Sequence, residues 1–210
     1  MEASAIWKKL LVDGKKITTT NEIHALSTEI GRDEKRSLYY LQEEGYIVRI
    51  FRGIFYVRNL EERARRSQEC SIYKMVAMGL REKGVKNWYF ALETALKLNL
   101  MTHEFFFLDY VITDSYRTTK IISIDGEKFR FIKRGKEHFK EGITEEKLIR
   151  YSDKEKTILD ISYREYLRSR KLARHIEPIE EYRDMIDPVK TKRYLIMYPE
   201  EFRKILEELL

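Results

Sequence analysis

The chain has 210 residues, of which 43% are hydrophobic, 12% aromatic and 36% charged, and its formal net charge is +6 at pH 7. This composition is typical of a globular protein, and the length suits two structural units. The sequence contains no apolar run of about 18 residues to span a membrane, and its start, with acidic Glu2, does not resemble a signal peptide, so we expect a cytoplasmic protein.

The sequence shows no signature of metal or cofactor chemistry. Its one cysteine, Cys70, and its scattered histidines, His24, His103, His138 and His175, lack the spacing of metal ligands. Gly-rich phosphate loops and the GxSxG and HExxH motifs are absent from the sequence. We therefore expect neither a metal nor a cofactor. The positive net charge fits a nucleic-acid partner, but it fits many ordinary basic proteins equally well.

The first sixty residues predict helices followed by a β-hairpin. Apolar residues recur at helical spacing in segments 4–12, 21–31 and 33–44, and Gly45 is a natural terminator after the third segment. Residues 46–58 are β-branched and aromatic, with a break at Arg52-Gly53 that suits a tight turn. This order is that of a winged helix-turn-helix, which we assign to residues 1–60.

The remainder predicts a connecting helix over 61–84 and a second domain over 85–210. Helical patterns cover about 88–100 and 153–170 and resume after Pro199. Strand patterns cover 105–113, 119–124 and 128–133, with a turn at Asp125-Gly126. The expected fold class is α+β, in which the winged helix-turn-helix precedes a mixed α/β domain with a small antiparallel sheet.

The hairpin carries the clearest sign of DNA binding. Residues 46–58 include Arg49, Arg52 and Arg58 and no acidic residue. An arginine beside a turn glycine can approach phosphates or enter a minor groove, so we predict that these arginines contact DNA phosphates. The alternative is an ordinary hairpin whose arginines protect its edges and keep it soluble.

The third helix offers the residues that would read bases. Its buried stripe leaves a group of basic and aromatic residues at or near the exposed N-terminal half: Arg32, Lys35, Arg36, Tyr39 and Tyr40. We expect Arg36 to make the principal base contact, with Tyr39 and Tyr40 at the groove and Lys35 on a phosphate. A charged, solvated helix face is the alternative.

Two further basic clusters, at 130–136 and 164–174, are each read as solvated surface, with an extended DNA footprint or an acidic partner as the alternative.

An enzyme is not expected, because the candidate acids lack a supporting motif. These acids are Asp109, Asp114, Asp153, Glu155 and Asp160. We read Asp153 as a helix cap, and we keep a metal-dependent nuclease using Asp109 or Asp114 as the least favoured hypothesis.

Several segments together resemble AbiEi-type antitoxins. The hairpin region 40–57 resembles the wing of that family, and Tyr89–Leu96 and Val111–Asp114 resemble the opening helix and a strand end of its C-terminal domain. The most distinctive match is Ser-Asp-x-Glu-Lys-Thr-x-x-Asp at 152–160. Residues 98–100, Leu-Asn-Leu, depart from the Gly-Leu ending common in the family.

This resemblance implies an antitoxin that represses its own operon by binding operator DNA and that counteracts a nucleotidyltransferase-like toxin. In the family this antagonism does not require a stable complex with the toxin. We expect that this chain can form an oligomer on DNA. The alternatives are a winged-helix module that binds a protein partner and a stand-alone regulator without a toxin.

Overall fold

The computed structural model describes residues 3–65, 69–116, 118–169 and 172–207. The chain divides into two compact units. The first comprises Met1–Lys86 with Ser123–Glu127, and the second comprises Asn87–Ile122 with Lys128–Leu210. None of the helices in the described ranges is long and apolar enough to cross a membrane.

The first unit combines helices with an antiparallel sheet of strand order β1-β3-β2. Its elements are α1 (Ala3–Val12), β1 (Ile17–Thr19), α2 (Thr20–Glu29), α3 (Glu34–Glu43), β2 (Ile47–Phe51), β3 (Ile54–Val57), α4 (Leu60–Arg65) and α5 (Ile72–Glu82). The helices and the hairpin that the sequence predicts in this part are present. Strand β1 was not predicted, because three residues are too few to show a periodicity.

Local chemistry explains where the helices of the first unit begin. Thr19 caps α2 by accepting the Glu22 backbone N–H at 3.2 Å, and Asp33 caps α3 by accepting the Arg36 N–H at 2.8 Å. Apolar side chains from α1, α2, α3 and the hairpin then form one buried core around Trp7, Ile23 and related residues.

The predicted connecting helix over 61–84 is instead the two helices α4 and α5. Helix α5 packs on the sheet of the first unit, and Gly79 is the point of closest approach. A Cβ at Gly79 would lie 2.7 Å from Ile50 Cγ2 and 2.9 Å from Phe51 Cε2. The apolar side of α5 therefore lies against the hairpin of the first unit.

The second unit contains most of a mixed sheet of order β6-β7-β5-β4-β9-β8, of which Ser123–Glu127 group with the first unit. Its strands are β4 (Trp88–Ala91), β5 (Asp109–Thr113), β6 (Ile122–Ile124), β7 (Glu127–Lys133), β8 (Ile143–Glu146) and β9 (Ile149–Ser152). Its helices are α6 (Leu92–Leu98), α7 (Lys154–Arg168), α8 (Leu172–Glu181), α9 (Pro188–Tyr194) and α10 (Glu200–Glu207). Strand pairs β5–β7 and β4–β9 are parallel, so the expected small antiparallel sheet is in fact larger and mixed.

The predicted helix over 88–100 is also corrected. Trp88–Ala91 is a strand whose residues are all buried, and the helix begins only at Leu92, whose φ is +55°. Aromatic residues suit a strand that lies between two neighbours. A short buried strand and a buried helical turn have the same apolar sequence, so periodicity does not separate them.

Candidate nucleic-acid interface

Helix α3 presents a basic and aromatic face to solvent. Leu41 and Ser37 lie on its buried side, at 0% and 4% exposure. Lys35 and Arg36 are exposed in its first turn, and Tyr39, one turn further on, is 66% exposed. Because residues three and four apart share a helix face, Arg36 and Tyr39 are neighbours on this surface.

The acidic residues at the start of α3 are engaged within the unit. Asp33 serves as the helix cap, and Glu34 lies 3.1 Å from His24 Nδ1 on α2. In the described part of the chain, no ion pair joins Lys35 or Arg36 to an acid. The helix dipole disfavours cations in a first turn, by roughly 0.3–1 kcal/mol each. Lys35 and Arg36 therefore do not stabilise the helix at these positions. Their charges instead favour the binding of an anion.

The hairpin places Arg49 on the same side of the sheet as α3. Arg49 pairs with Phe55 across β2 and β3, and residues paired across strands point to the same face. Phe55 belongs to the core shared with α1, α2 and α3, whereas α5 packs on the opposite face at Ile50. The exposed side chain of Arg49 therefore emerges on the face that carries the helices.

The turn of the hairpin exposes a second arginine. Arg52 is exposed, and the next residue, Gly53, has a φ of +76°, a conformation that favours glycine. Over the described ranges, neither Arg49 nor Arg52 forms an ion pair with an acid. We name the surface formed by Lys35, Arg36, Tyr39, Arg49 and Arg52 the basic face of the first unit.

The structure places the other predicted contact residues differently. Arg32 is exposed just before α3, and its backbone N–H donates to Ser27 O at 2.8 Å. Tyr40 is half-buried, with its ring centroid 6.0 Å from that of Tyr46. Its ring lies at the edge of the core.

Arg58 has internal partners. Its Nη2 lies 3.2 Å from an oxygen of Asp125, which clusters with the first unit, and its Nη1 donates to Gly45 O at 3.4 Å. Arg58 is therefore a weaker candidate for a phosphate contact than Arg49 or Arg52, because a phosphate would have to compete with Asp125.

Asp109 and Asp114, the acids of the nuclease hypothesis, do not meet in one site. Asp109 accepts hydrogen bonds from Lys97 Nζ at 2.6 Å and Thr94 Oγ1 at 2.9 Å, and Asp114 accepts one from Asn87 at 2.7 Å. The two aspartates lie at opposite ends of β5, about 16 Å apart along an extended strand. No metal-binding group of His, Cys, Asp or Glu occurs among the described residues.

The motif at 152–160, which carries the resemblance to the antitoxins, lies in the interior of the second unit. Asp153 caps α7, as predicted, and Thr157 Oγ1 donates to Ser152 O at 3.0 Å. Asp160, 4% exposed, accepts hydrogen bonds from Tyr89 at 2.9 Å and Tyr198 at 2.7 Å. These polar groups hold the helix in the fold and are not presented to a partner.

Lys156 completes this buried polar group. Its side chain is fully buried, and its Nζ lies 3.8 Å from Asp160 Oδ1 with no hydrogen-bond partner in the described structure. Burial lowers the pKa of Lys156, while the nearby Asp160 opposes that shift. Burial together with the Asp160 charge raises the pKa values of Tyr89 and Tyr198. Sequence spacing indicated a helix here but not that its charges point inward.

The two additional basic clusters differ in their surroundings. Arg164 lies 2.6 Å from Glu93, and Arg168 lies 3.6 Å from Glu165, so much of the 164–174 cluster is ion-paired. Residues 170 and 171 of that cluster lie outside the described residues. The 130–136 cluster instead borders a cavity, which is described below.

Comparison of the chain with protein-family models and with curated protein sequences finds no match.

Proposed function

We propose that the first unit is a winged helix-turn-helix that binds double-stranded DNA through its basic face. The observation that supports this most is a group of exposed cations without an acidic partner in the described part of the chain: Lys35, Arg36 and Arg49 on the side of the sheet that carries α3, and Arg52 at the hairpin turn. The element order α1-β1-α2-α3-β2-β3 matches the arrangement in which a recognition helix precedes a wing. In this proposal α3 enters the major groove.

The side chains divide into two roles in this proposal. Arg36 and Tyr39 contact base edges, because they lie together at the solvent-facing start of α3. Lys35, Arg49 and Arg52 bind phosphates, Arg52 from a turn where Gly53 has no side chain to obstruct the approach. Tyr40 supports the helix from the edge of the core, and Arg58 keeps its internal ion pair.

We further propose that the protein regulates transcription of its own operon and counteracts a nucleotidyltransferase-like toxin. This part rests on the resemblance of residues 40–57 and 152–160 to AbiEi-type antitoxins. Most of residues 152–160 are buried, which supports the proposal that the second unit shares the internal packing of the family's C-terminal domain. A stable complex with the toxin is not required by the proposal.

The DNA-binding proposal is tested with the promoter region of the chain's own gene, using fluorescence anisotropy at several salt concentrations. We expect Arg36→Ala to weaken operator binding about 5- to 150-fold, as loss of a base contact would, and to relax sequence preference. Arg52→Ala is expected to weaken operator and nonspecific DNA alike and to reduce the salt slope by about 1.

The matched control is Arg81→Ala. Arg81 is an exposed arginine on α5, which packs on the opposite face of the sheet. Its replacement should leave both affinity and salt slope unchanged. Wild-type affinity and slope in the Arg36→Ala/Arg52→Ala double variant would refute the basic face as the DNA site. Capture of a protein partner, without salt-sensitive DNA binding, would favour the protein-interaction module instead.

The antitoxin proposal has its own test. The reading frame adjacent to this gene is expressed under an inducible promoter, with and without the full chain. Growth arrest that the chain relieves, also in the Arg36→Ala/Arg52→Ala variant, would support an activity of the second unit separate from repression. An adjacent gene that arrests growth regardless of the chain, or causes no arrest, would favour a stand-alone regulator.

A further inference from the structure

A basic cavity lies in the second unit between the end of β7 and the segment before β6. Its volume is about 580 Å³, and it is lined by Thr118, Thr119 and residues 130–134. The size falls in the range of roughly 300–1,000 Å³ that is typical of small-molecule sites. Nothing in the proposed DNA-binding role uses this cavity, because all of its lining residues belong to the second unit.

The charge of the lining has one sign. Arg130, Lys133 and Arg134 contribute cations, and no lining residue is acidic. In the parts of the chain described by the structure, none of these three cations pairs with a carboxylate. The basic cluster on α7 differs, since Arg164 and Arg168 pair with Glu93 and Glu165. The cavity therefore keeps an excess of positive charge that an anion would neutralise.

Arg134 is held in place before any ligand arrives. Its backbone N–H donates to Thr113 O at 2.9 Å, and its guanidinium carbon lies 5.2 Å from the ring centroid of Tyr163. A stacked guanidinium loses less conformational entropy when it binds an oxyanion than a mobile one does. This preorganisation favours a defined anion site over a solvated arginine.

The lining also has polar and apolar parts that fit a particular ligand class. The hydroxyl of Thr119 is a hydrogen-bond donor suited to a phosphate oxygen, whereas the Thr118 hydroxyl donates to Lys120 O at 3.2 Å and fixes the lining. Ile132, which is half-buried, provides an apolar surface beside Arg130 on the same face of β7. A phosphate joined to a planar, largely apolar group satisfies both parts.

We propose that this cavity binds a nucleoside phosphate, with Arg130 and Arg134 holding the phosphate, Lys133 adding positive charge at the rim, and Ile132 contacting the base. Arg130 and Ile132 share one face of β7, because alternate strand residues point to the same side, and Arg134 directly follows the strand. Lys133, the last strand residue, lies on the other face with Phe131 and adds positive charge at the strand edge. The phosphate and the base are thus recognised by adjacent positions of one strand.

The test measures binding to the full chain by isothermal titration calorimetry. The probes are AMP, ATP, adenosine, inorganic phosphate and a single-stranded oligonucleotide. We expect AMP or ATP to bind, adenosine not to bind, and inorganic phosphate to bind at least about tenfold more weakly than the nucleotides. Arg130→Gln/Lys133→Gln should weaken nucleotide binding at least about tenfold, as loss of charge-assisted hydrogen bonds would.

Two controls keep the result interpretable. Arg168→Gln removes an exposed arginine of α7 and should leave binding unchanged. Arg36→Ala/Arg52→Ala should also leave it unchanged, so failure of the DNA proposal and failure of this one are distinguishable. Circular dichroism checks that the Arg130→Gln/Lys133→Gln variant is folded, which we expect because both positions are exposed.

Three outcomes would overturn the proposal. The first is no binding of AMP or ATP at millimolar concentration, and the second is equal nucleotide binding by the Arg130→Gln/Lys133→Gln variant. The third is binding of inorganic phosphate as tightly as the nucleotides, since the base would then add nothing, or equally tight binding of the oligonucleotide, which would make the cavity a nucleic-acid site.

Discussion

At the scale of single residues, Asp160 is the clearest case in which chemistry depends on position. The sequence shows an aspartate in a helical segment, which is usually exposed. In the fold it is 4% exposed, and its two oxygens accept hydrogen bonds from tyrosines that are distant in sequence. Its carboxylate is also the nearest acid to the buried Lys156. Asp160 therefore links β4, α7 and the segment that precedes α10.

We predict that Asp160→Asn destabilises the second unit by about 3–5 kcal/mol. The substitution removes the charge opposite Lys156 and leaves one of the two tyrosine hydroxyls without its acceptor, and breaking a buried ion pair typically costs this much. Urea unfolding at pH 7 measures the change. Asp184→Asn, at an exposed position, is the control and should stay within about 0.5 kcal/mol of wild type. Equal stability of the two variants would contradict the buried role of Asp160.

His138 makes stability depend on pH. The residue is 3% exposed and its ring lies 5.0 Å from that of Tyr198. Burial lowers the pKa of His138 to about 4, assisted by the positive charges of Lys156 and Arg134. The unfolded chain binds a proton below about pH 6.5, whereas the folded chain resists it. The neutral imidazole is therefore the form compatible with the fold.

We predict that wild-type protein loses about 3 kcal/mol more unfolding free energy than His138→Phe as pH falls from 6.5 to 4. The sign follows because a lowered folded-state pKa makes acid favour the unfolded chain, and the contribution is fully present above pH 6.5. Urea unfolding across this pH range measures the difference. His175, whose pKa burial also lowers, is present in both proteins and cancels. An equal loss of unfolding free energy in the two proteins over this pH range would show that the pKa of His138 is not lowered in the folded chain.

At the scale of elements, helix α5 packs closely against the hairpin that carries Arg49 and Arg52 of the basic face. Gly79 lies in the interior of a helix, where alanine is ordinarily better by about 1 kcal/mol. The close approach of Ile50 and Phe51 explains why no side chain is present there. Both neighbours are buried, so neither can move aside easily.

We predict that Gly79→Ala lowers the free energy of unfolding by about 1 kcal/mol despite its gain in helix propensity. The added methyl group overpacks Ile50 and Phe51, which costs about 1–3 kcal/mol. Thermal or urea unfolding measures the effect, and Arg81→Ala on the exposed side of the same helix is the control. A more stable Gly79→Ala protein would show that Ile50 and Phe51 accommodate the added methyl group without cost.

At the scale of the whole molecule, the division into two units separates the proposed activities. The DNA-binding proposal uses residues before Lys86, and the nucleotide proposal uses the second unit. The first unit has its own buried core, built around Ile6, Trp7, Leu10 and Leu41. Each activity can therefore be lost separately.

We predict that a fragment of residues 1–86 folds cooperatively and binds operator DNA with the same ranking of Arg36→Ala, Arg52→Ala and Arg81→Ala as the full chain. The reason is that the core and the basic face both lie within these residues. Loss of the partly exposed Arg58–Asp125 pair, whose side chains are 22% and 27% exposed, should cost no more than about 1 kcal/mol. Circular dichroism and anisotropy test this, and a folded fragment without DNA affinity would show that the second unit is needed.

Sequence alone determined the features that depend on neighbouring residues. The Asp33 and Asp153 caps, the turn at Arg52-Gly53 and the acid-free hairpin follow from local backbone and side-chain chemistry. Tertiary structure decided the features that depend on distant residues. It made Trp88–Ala91 a strand and turned Asp160 inward. It also paired Arg58 with Asp125 while leaving Arg49 and Arg52 exposed. The physical reason is that burial and ion pairing depend on which segments meet in space, and no local pattern encodes that meeting.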